Sequence, residues 1–173
     1  TAVVDDIIFE AAATNGMDTI TGFATGTGVD TVSLVDTDMT ANSGAAANAV
    51  VDLASDATAL VTSGAAFALT ASTAADGIIE ITTTLDTDVS LGATSTGNDL
   101  LQALSSDATE AASITVNTAD NDGYIIAYQN GDAYLWNFTN DANTAVIASE
   151  LSLVAVFEDV AAGSFIQGDF IIA

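Results

Sequence analysis

The side chains of this chain that could do chemistry are almost all carboxylates. There are 24 Asp and Glu, no Lys, Arg or His, and no Cys. A Ser–His–Asp or Cys–His nucleophile cannot be assembled from this set. Zinc centres, which draw on His and Cys, lose their usual ligands. A glycosidase-type carboxylate pair remains, but with so many acids no one pair stands out, and the expectation is that the chain is not an enzyme. Hard cations held by oxygen fit the composition best, calcium foremost.

Four kinds of cluster carry that reading. The pattern D-T-D occurs as Asp36 and Asp38 in "VDTDMT" and again as Asp86 and Asp88 in "LDTDVS". In an extended strand, residues two apart face one side and can share a cation. Asp120 and Asp122 flank Asn121 in "ADNDGY". In "TNDANTAVIASE", residues 139–150, Asp141, Asn143 and Glu150 stand at positions three, five and twelve of an EF-hand-like loop. Thr139 and Thr144 depart from that motif at positions one and six. Finally, "NGMDTITGFATGTGVDTVSL", residues 15–34, places Gly16, Asp18 and Ile20, then Gly26, Gly28, Asp30 and Val32, at positions of the calcium β-roll repeat. Asp18 and Asp30 are 12 residues apart rather than nine, so the two are not consecutive coils of one such roll. They read as its flank or cap. An ordinary solvated Gly–Asp turn is the alternative for each cluster alone; taken together, one or two of them are expected to bind calcium.

The formal charge of −24 has further consequences. Apart from the N-terminal amine, nothing can pair with a carboxylate by charge, so backbone N–H groups, protons and metal ions are left to neutralise it. Nucleic acid and anionic membranes, which demand Lys or Arg, are excluded as partners. No run of apolar residues is long enough for a spanning helix, so membrane insertion is not expected. Half of the 173 residues are apolar, enough for a core and for a single domain over 1–173.

The elements that must position these groups read as mainly β: a sandwich or roll of antiparallel strands with one or two short helices. Strands are predicted at 2–9, 18–23, 30–35, 66–71, 77–84, 151–157 and 165–172. Val50, Leu53, Ala57, Leu60 and Val61 recur at helical spacing and predict a helix over 45–63. Asn98 is an N-cap for a second, short helix carrying Leu100, Leu101 and Leu104. In "GYIIAYQNGDAYLWNF", Asn130-Gly131 separates two apolar runs and predicts a hairpin with Gln129 opposite Asp132 and Ala127 opposite Tyr134. Both hairpin faces are apolar and call for cover. Its aromatic residues suit a core or interface; stacking on a sugar is the alternative.

Proline and lysine, the residues that commonly blunt sheet edges, are both absent. The edges must therefore be covered, charged with Asp, or used. Val3, Val4, Ile7, Ile8 and Phe9 in "AVVDDIIF" form a segment suited to strand addition between copies of the chain. The alternative is an ordinary first strand in its own sheet.

"DTITGFATGTGVDTVSL" resembles the segment that follows the calcium repeats in repeats-in-toxin (RTX) proteins exported by type I secretion. The closing Asp169-Phe170-Ile171-Ile172-Ala173 resembles the acidic and apolar tail of serralysin-type proteases. "DGYIIAYQNGDAYLWNF" with "ASELSLVAVFEDVAAGSFIQGDFII" is similar to C-terminal domains of bacterial surface-layer and adhesin-like members. The resemblance covers roughly 15–34 and 120–173, and tandem nonapeptides are missing. It implies secretion by an uncleaved C-terminal signal, calcium-dependent folding outside the cell, and a surface role. The resulting expectation is an extracellular or cell-surface structural protein, self-assembling as a filament or surface-layer subunit. A secretion-signal and folding-cap domain of a larger RTX protein is the alternative. A module binding cell-surface polysaccharide is a third.

Overall fold

The computed structural model describes residues 4–11, 16–35, 54–55, 78–82, 100–101, 104, 122–139 and 147–172. Among these residues nine strands lie in two sheets: β1 (Asp6–Ile8), β2 (Asp18–Ile20), β3 (Thr31–Leu34), β4 (Ala54–Ser55), β5 (Ile78–Glu80), β6 (Asp122–Gln129), β7 (Asp132–Thr139), β8 (Leu151–Phe157) and β9 (Phe170–Ile172). One sheet has the order β1-β3-β9 and the other β2-β8-β7-β6-β5-β4. The protein is mainly β, as the sequence predicts.

The hairpin anchors the larger sheet. Asn130 and Gly131 both have positive φ, 55° and 96°, the combination a two-residue turn needs to match strand twist. Gln129 lies opposite Asp132 and Ala127 opposite Tyr134. Alternation then sends Ile125, Ala127, Tyr134 and Trp136 into one apolar layer. Tyr124, Ile126 and Leu135 go into the other. Both faces are covered, so the aromatic residues serve the core; Trp136, Tyr134, Tyr124 and Phe138 are all buried. The Trp136 indole N–H is buried with no hydrogen-bond partner among the described residues.

Among the described residues, antiparallel pairing is confined to β6, β7 and β8. The expected all-antiparallel arrangement is corrected elsewhere: β1 with β3, β3 with β9, β2 with β8, β4 with β5 and β5 with β6 all run parallel. The reason is connectivity. The chain passes from the three-stranded sheet at β1 to the six-stranded sheet at β2 and back at β3, so β3 returns beside β1 in the same direction. Thr31 meets Asp6, 25 residues earlier. The run β8–β9 repeats the β2–β3 passage and stacks on it, Ala155 against Asp18 and Phe170 against Val32. The result is a short stack of coils.

Between the sheets, Phe9, Phe23, Val32, Leu34, Phe157, Phe165 and Phe170 share one buried cluster. Phe23 packs edge-on to Phe157 at 5.0 Å, and Phe165 edge-on to Phe157 at 5.5 Å. On the opposite face of the larger sheet, Leu100 and Leu104 are buried against Ile125, Trp136 and Leu151, with Leu101 packed alongside.

Two predicted elements are corrected. Ala54–Ser55, inside the predicted helix 45–63, forms β4 and pairs parallel with β5. A sheet edge offering backbone groups outweighs a periodicity carried by few large residues. The last predicted strand shortens to Phe170–Ile172, because Gln167–Asp169 closes into a 3-10 turn. Leu100, Leu101 and Leu104 have helical backbone as predicted; Asn98 and the predicted strand 66–71 lie outside the described residues.

Candidate functional site

Two aspartates, Asp30 and Asp169, hold the coils of the stack together. The loop between β2 and β3 carries Gly26 and Gly28 at positive φ, which lets the chain fold back on itself. Asp30 closes it twice: its N–H donates to the Ala24 carbonyl at 3.2 Å, and its Oδ2 accepts the Ala24 N–H at 2.9 Å. The other oxygen, Oδ1, accepts the N–H of Asp5 in the adjoining coil at 3.0 Å. Asp169 repeats the arrangement one coil along. Its N–H donates to the Ile166 carbonyl and its Oδ2 accepts the Ile166 N–H, at 2.9 and 2.8 Å. Its Oδ1 accepts the Gly26 N–H at 2.8 Å. Each carboxylate thus pins its own loop with one oxygen and the neighbouring coil with the other.

This arrangement settles how two acids are neutralised without a basic residue. Asp30 and Asp169 are both buried, and each bears two charge-assisted hydrogen bonds from backbone N–H groups. The bonds from Ala24 and Asp5 hold the Asp30 carboxyl below its ordinary value, the first being the stronger, against a smaller opposing effect of burial. Asp6 acts on the outer face: its Oδ1 accepts the Ser33 and Thr31 hydroxyls at 2.9 and 3.1 Å, tying β1 to β3.

The remaining acids predicted as ligands are scattered. Asp18 begins β2 and is exposed; Asp122 begins β6 and is half-buried. Glu150 accepts the Ile147 N–H at 2.9 Å through Oε2, capping its own 3-10 turn. Asp36, Asp38, Asp120, Asp141 and Asn143 lie outside the described residues, as does Val3. Among the described residues, no three acidic side chains come together in a group that could hold a metal ion.

Sequence reasoning overlooked Glu80. It is buried on β5 at 3% exposure, and Oε1 accepts both the Tyr128 hydroxyl and the Gly163 N–H, the latter at 3.1 Å. Burial first, then the hydrogen bond to Glu80, pushes the Tyr128 phenol well above its ordinary value. The only signal available was an acid within the apolar run "GIIEITTT", which has no partner nearby in sequence.

β1 and β2 lie at one end of the stack of described strands, β1 paired with β3 and β2 with β8. Val4, Ile8 and Met17 are exposed there, Ile8 at 73%. Ile7 and Phe9 instead pack inward with the inter-sheet cluster. β1 is thus a strand of its own sheet, paired with β3, with Ile8 on its exposed outer face. No helix among the described residues is long and apolar enough to cross a membrane. No protein-family model, curated protein or solved structure matches the chain.

Proposed function

We propose that this chain is a non-enzymatic structural protein of the extracellular space or cell surface, stabilised by calcium and associating with copies of itself. The observation that carries the reading is the exposure of the apolar side chains Val4, Ile8 and Met17 on and beside β1 and β2, in a chain with no lysine or proline to blunt a sheet edge. The mechanism is physical. A chain of charge −24 resists compaction and resists meeting its own kind. Divalent cations from the medium lower both barriers, so folding and association follow the same ion. Asp18, Asp122 and the acids beyond the described residues supply oxygen ligands for that role. Asp30 and Asp169 contribute to the fold through backbone N–H groups instead.

A second reading is favoured by the coil geometry. The β2–β3 passage is continued by β8–β9, and the larger sheet then runs on into the antiparallel hairpin. That is the form of a cap on a parallel β-roll, and it supports a folding-cap and export role within a larger RTX-like protein. The two readings part in a calcium titration of chelator-treated protein followed by circular dichroism and light scattering. Folding accompanied by growth in particle mass supports the structural subunit. Folding to a lasting monomer supports the cap. No response in either signal removes calcium from both.

A further inference from the structure

We propose that Asn130 is a site of spontaneous chemical modification: its side-chain amide closes onto the backbone nitrogen of Gly131, releases ammonia, and leaves a carboxylate in the hairpin turn. The proposal is independent of calcium and of self-association.

The turn has the features that such a closure needs. Asn130 and Gly131 are both exposed. A Cβ built on Gly131 would meet nothing within 4 Å, so the amide and then water can reach the backbone nitrogen. The strands pair through Gln129 and Asp132, so the Gly131 N–H inside the loop is not a rung of the ladder. Conformation is the stricter demand. The ring that forms contains the Gly131 nitrogen and the carbonyl carbon, Cα, Cβ and Cγ of Asn130. A flat ring sets Cβ and that nitrogen on the same side of the Cα–C bond, which for an L-residue puts ψ at about −120°. That is the ψ of the first central residue of a type II′ turn, whose φ is about +60°. Asn130 already has φ 55°. Gly131 at 96° makes the present turn type I′, with positive φ at both positions. Types I′ and II′ both serve two-residue hairpins, so passing between them flips one peptide plane and leaves the strands paired. The flip carries Gly131 to a φ of about −80°, which glycine adopts as readily as a positive value.

The reaction needs only water. The Gly131 nitrogen bonds to Cγ, the Cγ–Nδ2 bond breaks, and the Gly131 proton leaves with the amide nitrogen as ammonia. Water then opens the imide at one of its two carbonyls. Opening at Cγ gives aspartate, and opening at the backbone carbonyl gives isoaspartate, with the main chain running through Cβ and Cγ. Either product adds one negative charge to the formal −24. Isoaspartate also lengthens the loop by one methylene, so the turn no longer specifies Gln129 opposite Asp132. This hairpin carries the buried Tyr134 and Trp136, and the modification therefore ages the fold at its core. Asn137 provides the contrast: it is buried within β7, and its amide donates to the Gly123 carbonyl at 3.0 Å.

The folded protein and an end-blocked peptide of residues 129–134 are incubated together at mildly alkaline pH. Mass spectrometry with isoaspartate detection then follows the chymotryptic fragment bounded by Tyr128 and Tyr134. The expected result is conversion of the folded protein at no less than about a tenth of the peptide's rate, a tenfold allowance for the flip that corresponds to about 1.4 kcal/mol. Asn137 stays an amide, and Asn130→Gly shows no mass change in the fragment. Slower conversion in protein whose circular dichroism is native, with the peptide's rate regained in urea, overturns the proposal, because the turn then protects Asn130. Aspartate formed without isoaspartate also overturns it, since direct hydrolysis would then replace ring closure.

Discussion

The carboxylate of Asp169 accepts the backbone N–H of Gly26 at 2.8 Å across 143 residues of sequence. With Ile166 on its other oxygen, this side chain joins the last coil to the one before it, at 0% exposure. Asp30 does the same for the coil formed by β1 and β3. A chain with acidic and no basic side chains has thereby turned two carboxylates into acceptors for loop N–H groups.

Removing one of these acceptors leaves two N–H groups unmet. Asp169→Ala is expected to destabilise the fold by about 1–3 kcal/mol, the loss of two part-buried hydrogen bonds at roughly 0.5–1.5 kcal/mol each. Asp169→Asn retains one acceptor oxygen and is expected to lose about half as much. Urea denaturation of the three proteins in the same buffer measures both; equal losses for Ala and Asn would refute the two-acceptor account.

Asp30 gives the fold a pH signature. Its carboxyl titrates lower in the folded chain than its ordinary value of 3.8, because the Ala24 and Asp5 N–H groups favour the charged form. A group depressed on folding contributes stability above its unfolded value and loses that contribution as pH falls through the folded one. The stability gap between the wild type and Asp30→Asn is therefore constant at neutral pH and shrinks below about pH 4. Taking the difference cancels the relief of repulsion that acid brings to the other carboxylates. A gap that widens in acid would contradict the assignment.

Tyr128 sets the alkaline limit. Its phenol is raised by burial and by the bond to Glu80. Above the unfolded tyrosine value, about 10, the unfolded chain gives up this proton while the folded chain keeps it, so stability falls as pH rises further. Comparing absorbance titrations of the wild type and Tyr128→Phe is expected to assign to Tyr128 a phenol that ionises only as the protein unfolds. Tyr128→Phe removes that step and lowers stability at neutral pH by about 1–3 kcal/mol, since Glu80 keeps only the Gly163 N–H.

The hairpin turn isolates a purely conformational cost. A Cβ at Gly131 would meet nothing within 4 Å, yet φ is 96°. Gly131→Ala is expected to destabilise by about 1–2 kcal/mol through backbone strain alone. Asn130→Gly, at φ 55°, is expected to be close to neutral. Thermal unfolding of both variants checks the pair.

The parts legible in the sequence are those whose causes are local. Asn130-Gly131 and the alternation on either side specify register and facing over 122–139, because a two-residue turn allows one pairing and a period of two sorts the faces. Composition alone establishes that no carboxylate can be paired by a basic side chain. What the tertiary structure decided depends on partners distant in the chain. Ala54–Ser55 became a strand because β5 offered an edge, not because of its neighbours. Asp30 has the spacing of a calcium ligand, but whether its oxygens meet N–H groups depends on Asp5 arriving alongside, 25 residues away. Glu80 needed Tyr128 and Gly163, 48 and 83 residues further on, before a buried acid made physical sense. A one-dimensional pattern records which groups can accept a hydrogen bond; only the closing of the loops between them determines which donors come within reach.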